Sequence, residues 1–84
     1  MAPRLTWSDP ALDDLRAIRA GLTDEAAARV GRLICDSADC LAEYPERGRA
    51  GHGDGIRELP LPGLPWRLVY RGHDGADVVI LRLL

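Results

Sequence analysis

Arginine is the only strong cation in this sequence, with eleven residues and no lysine. Every cation is therefore a planar guanidinium that can grip a phosphate or carboxylate through two hydrogen bonds at once. Four of them stand in the segments after residue 55 that read as strands: Arg57 in IRELPL, Arg67 and Arg71 in WRLVYR, and Arg82 in VVILRLL. Cleavage of an RNA chain by its own 2′-hydroxyl needs a base, an acid and cations around the charged transition state. The arginines can supply the cations, but no acid or base accompanies them on the regular strands. The other chemistry open to such a group is recognition. Val69, Val78 and Ile80 lie among the arginines, and an apolar strip rimmed by guanidinium groups suits an interface. Arg57, Arg67, Val69, Arg71, Val78, Ile80 and Arg82 thus form the candidate contact set for a target or partner. Pairing with Glu58 and Asp77 inside the chain is the alternative use of the same charges.

The remaining reactive groups carry less. His52 and His73 each sit in a glycine-rich turn, which makes them exposed loop residues. No histidine or cysteine stands at ligand spacing, so neither a metal nor a small-molecule cofactor is expected. Cys35 and Cys40 lie five apart in a helical segment, about 140° apart around the axis, and are read as free, small apolar residues of a reducing compartment. The pairs Asp13-Asp14 and Asp24-Glu25 belong to solvated helix turns rather than to a catalytic dyad. Trp7, Trp66 and Tyr70 are expected in the core.

The elements that must hold these residues follow from pattern. Strands are expected over Ile56 to Leu61 and Trp66 to Arg71, joined by Pro-Gly-Leu-Pro. In the second of them Trp66, Leu68 and Tyr70 share one face, and Arg67, Val69 and Arg71 the other. Upstream, Arg4 to Trp7 is a short strand. Ser8 caps a helix from about Asp9 to Ala20, with Pro10 in its first turn and Gly21 as a left-handed cap at its end. Thr23 caps a second helix that runs to about Glu43, where Ala27, Val30, Ile34, Leu41 and Tyr44 recur at helical spacing and Pro45 stops it. Gly31 inside it reads either as a close helix contact or as a merely tolerated glycine. Pro45 to Gly55 is a mobile glycine-rich loop, Gly72-His73-Asp74-Gly75 a tight turn, and Asp77 to Leu84 a last strand in which Val78, Ile80 and Arg82 share a face. The fold class is α+β, in the order β-α-α-β-β-β, with a helical hairpin packed on one face of a small, mainly antiparallel sheet.

Composition narrows the classes. Residues 1–84 make one domain, and 46% apolar with 29% charged residues is ordinary for a globular chain. A formal charge of -2 excludes bulk attraction to nucleic acid and leaves only a local basic patch. The start, MAPRLTWSDP, has no apolar run of a signal peptide, and no stretch approaches the ~20 apolar residues of a membrane span, so a cytoplasmic protein without membrane contact is expected.

TWSDPALDDL, AEYPERGR, IRELPLPGLPWRLVYR and VVILRLL, in this order, resemble the ParE/RelE family of bacterial type II toxin-antitoxin toxins, and the ParE branch more closely. The resemblance covers nearly the whole chain. It implies a small toxin neutralised by a cognate antitoxin, acting by poisoning DNA gyrase as ParE-like members do. The alternatives are a RelE-like endoribonuclease that cuts mRNA on the ribosome, or an inactive member that only binds antitoxin. Arg67 matches the strand arginine with which the ribonuclease branch holds phosphate. That branch carries further catalytic residues on a tail past the last strand, whereas the sequence stops at Leu84, so binding rather than catalysis is expected. The antitoxin should bring an amphipathic helix, an extended segment and acidic residues that meet Arg67, Arg71 or Arg82.

Overall fold

A computed structural model describes residues 4–72 and 76–84 of the chain. Its elements are β1 (Leu5–Trp7), α1 (Asp9–Ala20), α2 (Asp24–Glu43), a 3-10 turn (Pro45–Arg47), β2 (Arg49–Ala50), β3 (Ile56–Pro60), β4 (Arg67–Arg71) and β5 (Val78–Leu83). They form one five-stranded sheet in the order β1-β5-β4-β3-β2, antiparallel except where β1 runs parallel to β5. Two helices on one face of a mainly antiparallel sheet make this the expected α+β fold. Its one addition is β2, two residues long, within the stretch that sequence pattern left as loop. The tight turn expected at 72–75 and His73 lie outside the described residues.

Both helix starts follow from their capping residues. Ser8 Oγ accepts from Ala11 N–H and Thr23 Oγ1 from Ala26 N–H, each at 3.2 Å, so side chains satisfy donors that the helix itself leaves unpaired. The end of α1 differs from expectation. Gly21 has φ -85°, not a left-handed value, because the last turn tightens instead: its N–H donates to Ile18 O at 3.2 Å, three residues back. Gly31 is also not a close backbone contact, since a Cβ there would meet only the Arg19 side chain at an ordinary 3.5 Å.

The core lies between the helices and the covered sheet face. Ala11 of α1 and Val30, Ile34, Ala38 and Leu41 of α2 pack on Leu68, Tyr70, Val78, Ile80 and Leu83, with Leu61 beside them. Trp7 and Trp66 are half-buried against this cluster. Tyr44 is not part of it; as the C-cap of α2 it leaves the helix direction and is 57% exposed.

An irregularity in β5 overturns one expectation. Tyr70 stands opposite Ile80 and Val69 opposite Arg82, so Leu81 has no partner and the strand bulges there. A bulge inverts the alternation on either side of it. Val78, Ile80 and Leu83 therefore all point into the core, and Val78 and Ile80 do not accompany the arginines. The start of α1 accounts for the place of the bulge. β1 ends beside Ile80, whose carbonyl accepts from Ser8 N–H at 2.9 Å, and the Leu81 carbonyl accepts from Ser8 Oγ at 2.9 Å.

Candidate functional site

The sheet face away from the helices is set by strand register. One row across the sheet is Arg49, Glu58, Val69 and Arg82; the next is Ile56, Arg71 and Val79, with Thr6 at its end; Pro60 and Arg67 form a third. Four arginines and one carboxylate thus frame the half-buried Ile56, Val69 and Val79. The helices carry the opposite sign, eight acidic residues against four arginines. A chain with net charge -2 therefore turns one cationic face outward.

The arginines are held differently. Arg67 Nε lies 2.6 Å from Glu58 Oε1, with the arginine side chain 46% exposed and the glutamate 15%. Glu58 stands diagonally across β3 and β4 from Arg67, close enough for a side-chain pair. This places a carboxylate on the face that sequence pattern left without acid or base. Arg82 is drawn over the edge of β5, where Nε and one terminal nitrogen donate to the two oxygens of Asp14 at 2.7 and 3.0 Å. Asp14 also accepts from Leu83 N–H at 2.9 Å, so one α1 carboxylate closes the strand edge that β1 leaves bare. The Arg82 hydrogen bonds, helped by that amide and opposed by burial, hold the Asp14 carboxyl below the usual carboxylate range. Arg71 and Arg49 are exposed, and among the described residues neither has a carboxylate within ion-pair distance.

Arg57 is on the other face. It stands opposite Tyr70 and donates Nη1 to Gly48 O at 2.8 Å. The Tyr70 hydroxyl, fully buried, donates to Pro45 O at 2.5 Å and accepts from Gly48 N–H at 2.8 Å. Burial pushes this phenol up, away from the range in which it would exchange protons near neutrality. The pair pins the chain after α2 to the sheet and so sets Arg47 and Arg49 on either side of Gly48. Only glycine fits there, since a Cβ would lie 2.4 Å from the Tyr70 hydroxyl and 2.9 Å from Glu58 O. The glycine-rich stretch beyond is a hairpin turn, closed by Gly51 N–H to Ile56 O at 2.8 Å, with Gly53 and Gly55 at positive φ and His52 exposed.

Of the seven candidate contact residues, register puts Arg67, Val69, Arg71 and Arg82 on the open face and Arg57, Val78 and Ile80 on the helix side. Pairing with Glu58 is found for Arg67, whereas Asp77 accepts the backbone N–H of Arg4 at 2.9 Å. Sequence reasoning missed Arg49, Ile56 and Val79. Val79 needed the bulge, and Arg49 needed β2, whose two residues give no alternation. Both cysteines are free and exposed, not packed. Among the described residues no cluster of His, Cys, Asp and Glu is arranged to hold a metal ion, and no helix is long and apolar enough to cross a membrane.

Residues 5–84 match the family described as ParE toxin of type II toxin-antitoxin system, parDE. The chain belongs to the ParE toxin family. It is 39% identical over 84 residues to Y4kP of Sinorhizobium fredii, covering 96% of this chain and 85% of that one. Toxin RelE2 of Caulobacter vibrioides is also 39% identical, over 75 residues, covering 86% of this chain and 83% of that protein. A chain from the structure titled "Chromosomal ParDE TA system from P. aeruginosa" superposes with a TM-score of 0.85 at 25% identity, over 98% of this chain and 94% of that one. For this ParE-family toxin, the sequence resemblance and the fold agree along nearly the full length. The open arginine face and the Tyr70-pinned turn are thus features of a toxin of a type II toxin-antitoxin system.

Proposed function

We propose that this ParE-family toxin acts by binding and trapping DNA gyrase through its open sheet face, and that a cognate antitoxin neutralises it by covering the same face. The observation that carries this reading is four arginines around Ile56, Val69 and Val79, on a face where the single carboxylate among the described residues is already tied to Arg67. An apolar centre with a guanidinium rim supplies burial and oriented charge together, which is what a macromolecular contact needs. Arg71 and Arg49 are the arginines most open to acidic antitoxin residues, with Arg67 next; Arg82 is engaged by Asp14. Purified full-length chain should inhibit gyrase supercoiling or accumulate gyrase-cleaved DNA at micromolar concentration, and Arg71→Glu should abolish the effect. Undisturbed supercoiling by a folded sample rejects gyrase as the target.

The Arg67–Glu58 pair favours a second reading, a ribosome-dependent mRNA endoribonuclease. Glu58 as base toward a 2′-hydroxyl and Arg67 as cation toward the adjacent phosphate are two of the groups that such a cleavage requires. This reading predicts codon-positioned cuts soon after induction, lost in Arg67→Ala and in Glu58→Gln. An intact transcript pool in growth-arrested cells excludes it.

A further inference from the structure

Glu58 stands at the centre of the arginine face. Its register neighbours are Arg49 on β2 and Val69 on β4, and two residues to either side of Val69 come Arg67 and Arg71, on the two diagonals. Three exposed arginines, each about 12–13 Å from the others by strand spacing, thus surround one carboxylate. It pairs with Arg67, 2.6 Å away, and among the described residues leaves Arg49 and Arg71 without an ion pair. Its other oxygen, Oε2, rests against Gly51, where a Cβ would lie only 3.1 Å from it. The carboxylate is therefore held down between the hairpin turn and Arg67.

The other carboxylate that meets a sheet arginine is built differently. Asp14 takes two nitrogens of Arg82 and the Leu83 N–H at the sheet edge, so its charge is used within the chain. Glu58 has one cationic contact among the described residues, and that arginine keeps 46% of its side chain exposed. A negative group laid across the three arginines therefore still meets the charge on Glu58, and like charges brought together there oppose binding. The cost depends on how the incoming charges are spaced. A nucleic-acid strand carries one at every nucleotide and cannot bridge two of these arginines without passing one over the carboxylate. A protein can set separate acids on the outer sides of Arg49 and Arg71 and lay an apolar or cationic side chain over Val69 and Glu58. We propose that Glu58 determines the specificity of the open face, by rejecting a nucleic-acid strand and admitting a protein surface with separated acidic residues. Specificity of this kind comes from repulsion of the wrong partner rather than attraction of the right one. It rests on the reading of this face as a protein contact and adds which class of polyanion the face refuses.

Fluorescence anisotropy of a labelled single-stranded DNA of mixed sequence, titrated with the purified full chain over a range of salt concentrations, tests it. The parent should bind weakly. Glu58→Gln should bind about tenfold or more tightly, with log K falling more steeply against log salt by about 0.7, the signature of one added phosphate contact. Glu58→Ala should show the same gain without a polar group beside Arg67. Glu25→Gln makes the same change in net charge from the exposed first turn of α2 and should leave DNA binding within about twofold of the parent. A parent that already binds DNA as tightly as the two Glu58 variants overturns the proposal, and so does a Glu25→Gln gain equal to theirs. The gyrase reading is judged separately. A chain that leaves supercoiling undisturbed, yet gains DNA affinity only on change of Glu58, loses gyrase as its target and keeps this specificity; one that inhibits gyrase but gains nothing on change of Glu58 does the reverse.

Discussion

On the helix side of β4, Leu68 and Tyr70 are fully buried, and the tyrosine hydroxyl has both a donor and an acceptor in place. One residue away on the other side, Arg67, Val69 and Arg71 share, among the described residues, a single ion pair and a half-buried apolar centre. The same alternation thus yields one face packed inside the chain and one that, among the described residues, is largely open. Changes on the first face should cost folding free energy. Changes on the second should cost recognition and leave folding nearly intact.

Leu68→Ala should give the largest loss of stability, about 2–5 kcal/mol, because it opens a cavity beneath α2 that its packed neighbours cannot fill. Urea unfolding followed by circular dichroism measures it, and a loss below the range seen for surface changes would mean that the two faces are not as distinct as described. Tyr70→Phe comes next, at about 1–3 kcal/mol, since Pro45 O and Gly48 N–H lose their buried partner together. Its effect should be confined to the turn before β2, with faster amide exchange at Gly48 as the readout.

Acid should act on the edge clamp. The Asp14 carboxyl titrates lower when folded than its unfolded value of about 3.9, so its contribution is complete above that pH and is lost as the pH falls through the lowered folded value. Acid unfolding of the parent should therefore be steeper below about pH 4 than that of Asp14→Asn. The smallest expected change in stability is for Arg71→Glu, within about 0.5 kcal/mol. The same substitution should release antitoxin faster, as read by surface plasmon resonance. A large loss of stability in this variant would show that the open face also depends on internal partners.

How much of this was legible in the sequence depended on how local the signal was. Ser8 and Thr23 announce their helices because a cap bonds within three residues. WRLVYR shows its two faces because a regular strand alternates. The bulge at Leu81 left no such mark, since its cause is a hydrogen bond from Ser8, 73 residues earlier in the chain. Without it, Val78 and Ile80 fall on the wrong face. Arg57 was misplaced for a related reason: alternation puts it on the Tyr70 side, but only the folded turn at Gly48 provides the carbonyl that makes a guanidinium welcome there. Asp14 reads as one of two solvated acids until β5 brings Arg82 to it.

The parallel pairing of β1 with β5 also bears on how the protein is made. Leu5 meets Val78 and Asp14 meets Arg82, contacts that join the first described strand and helix to the last described strand. Until β5 leaves the ribosome, β1 has no strand to join, β4 has a bare edge, and the helices lack Val78, Ile80 and Leu83 beneath them. A stalled nascent chain lacking β5 should be readily cut by protease, and one extended past it should resist. Completion of the open arginine face thus waits for β5, which brings Val79 beside Arg71 and Arg82 beside Val69.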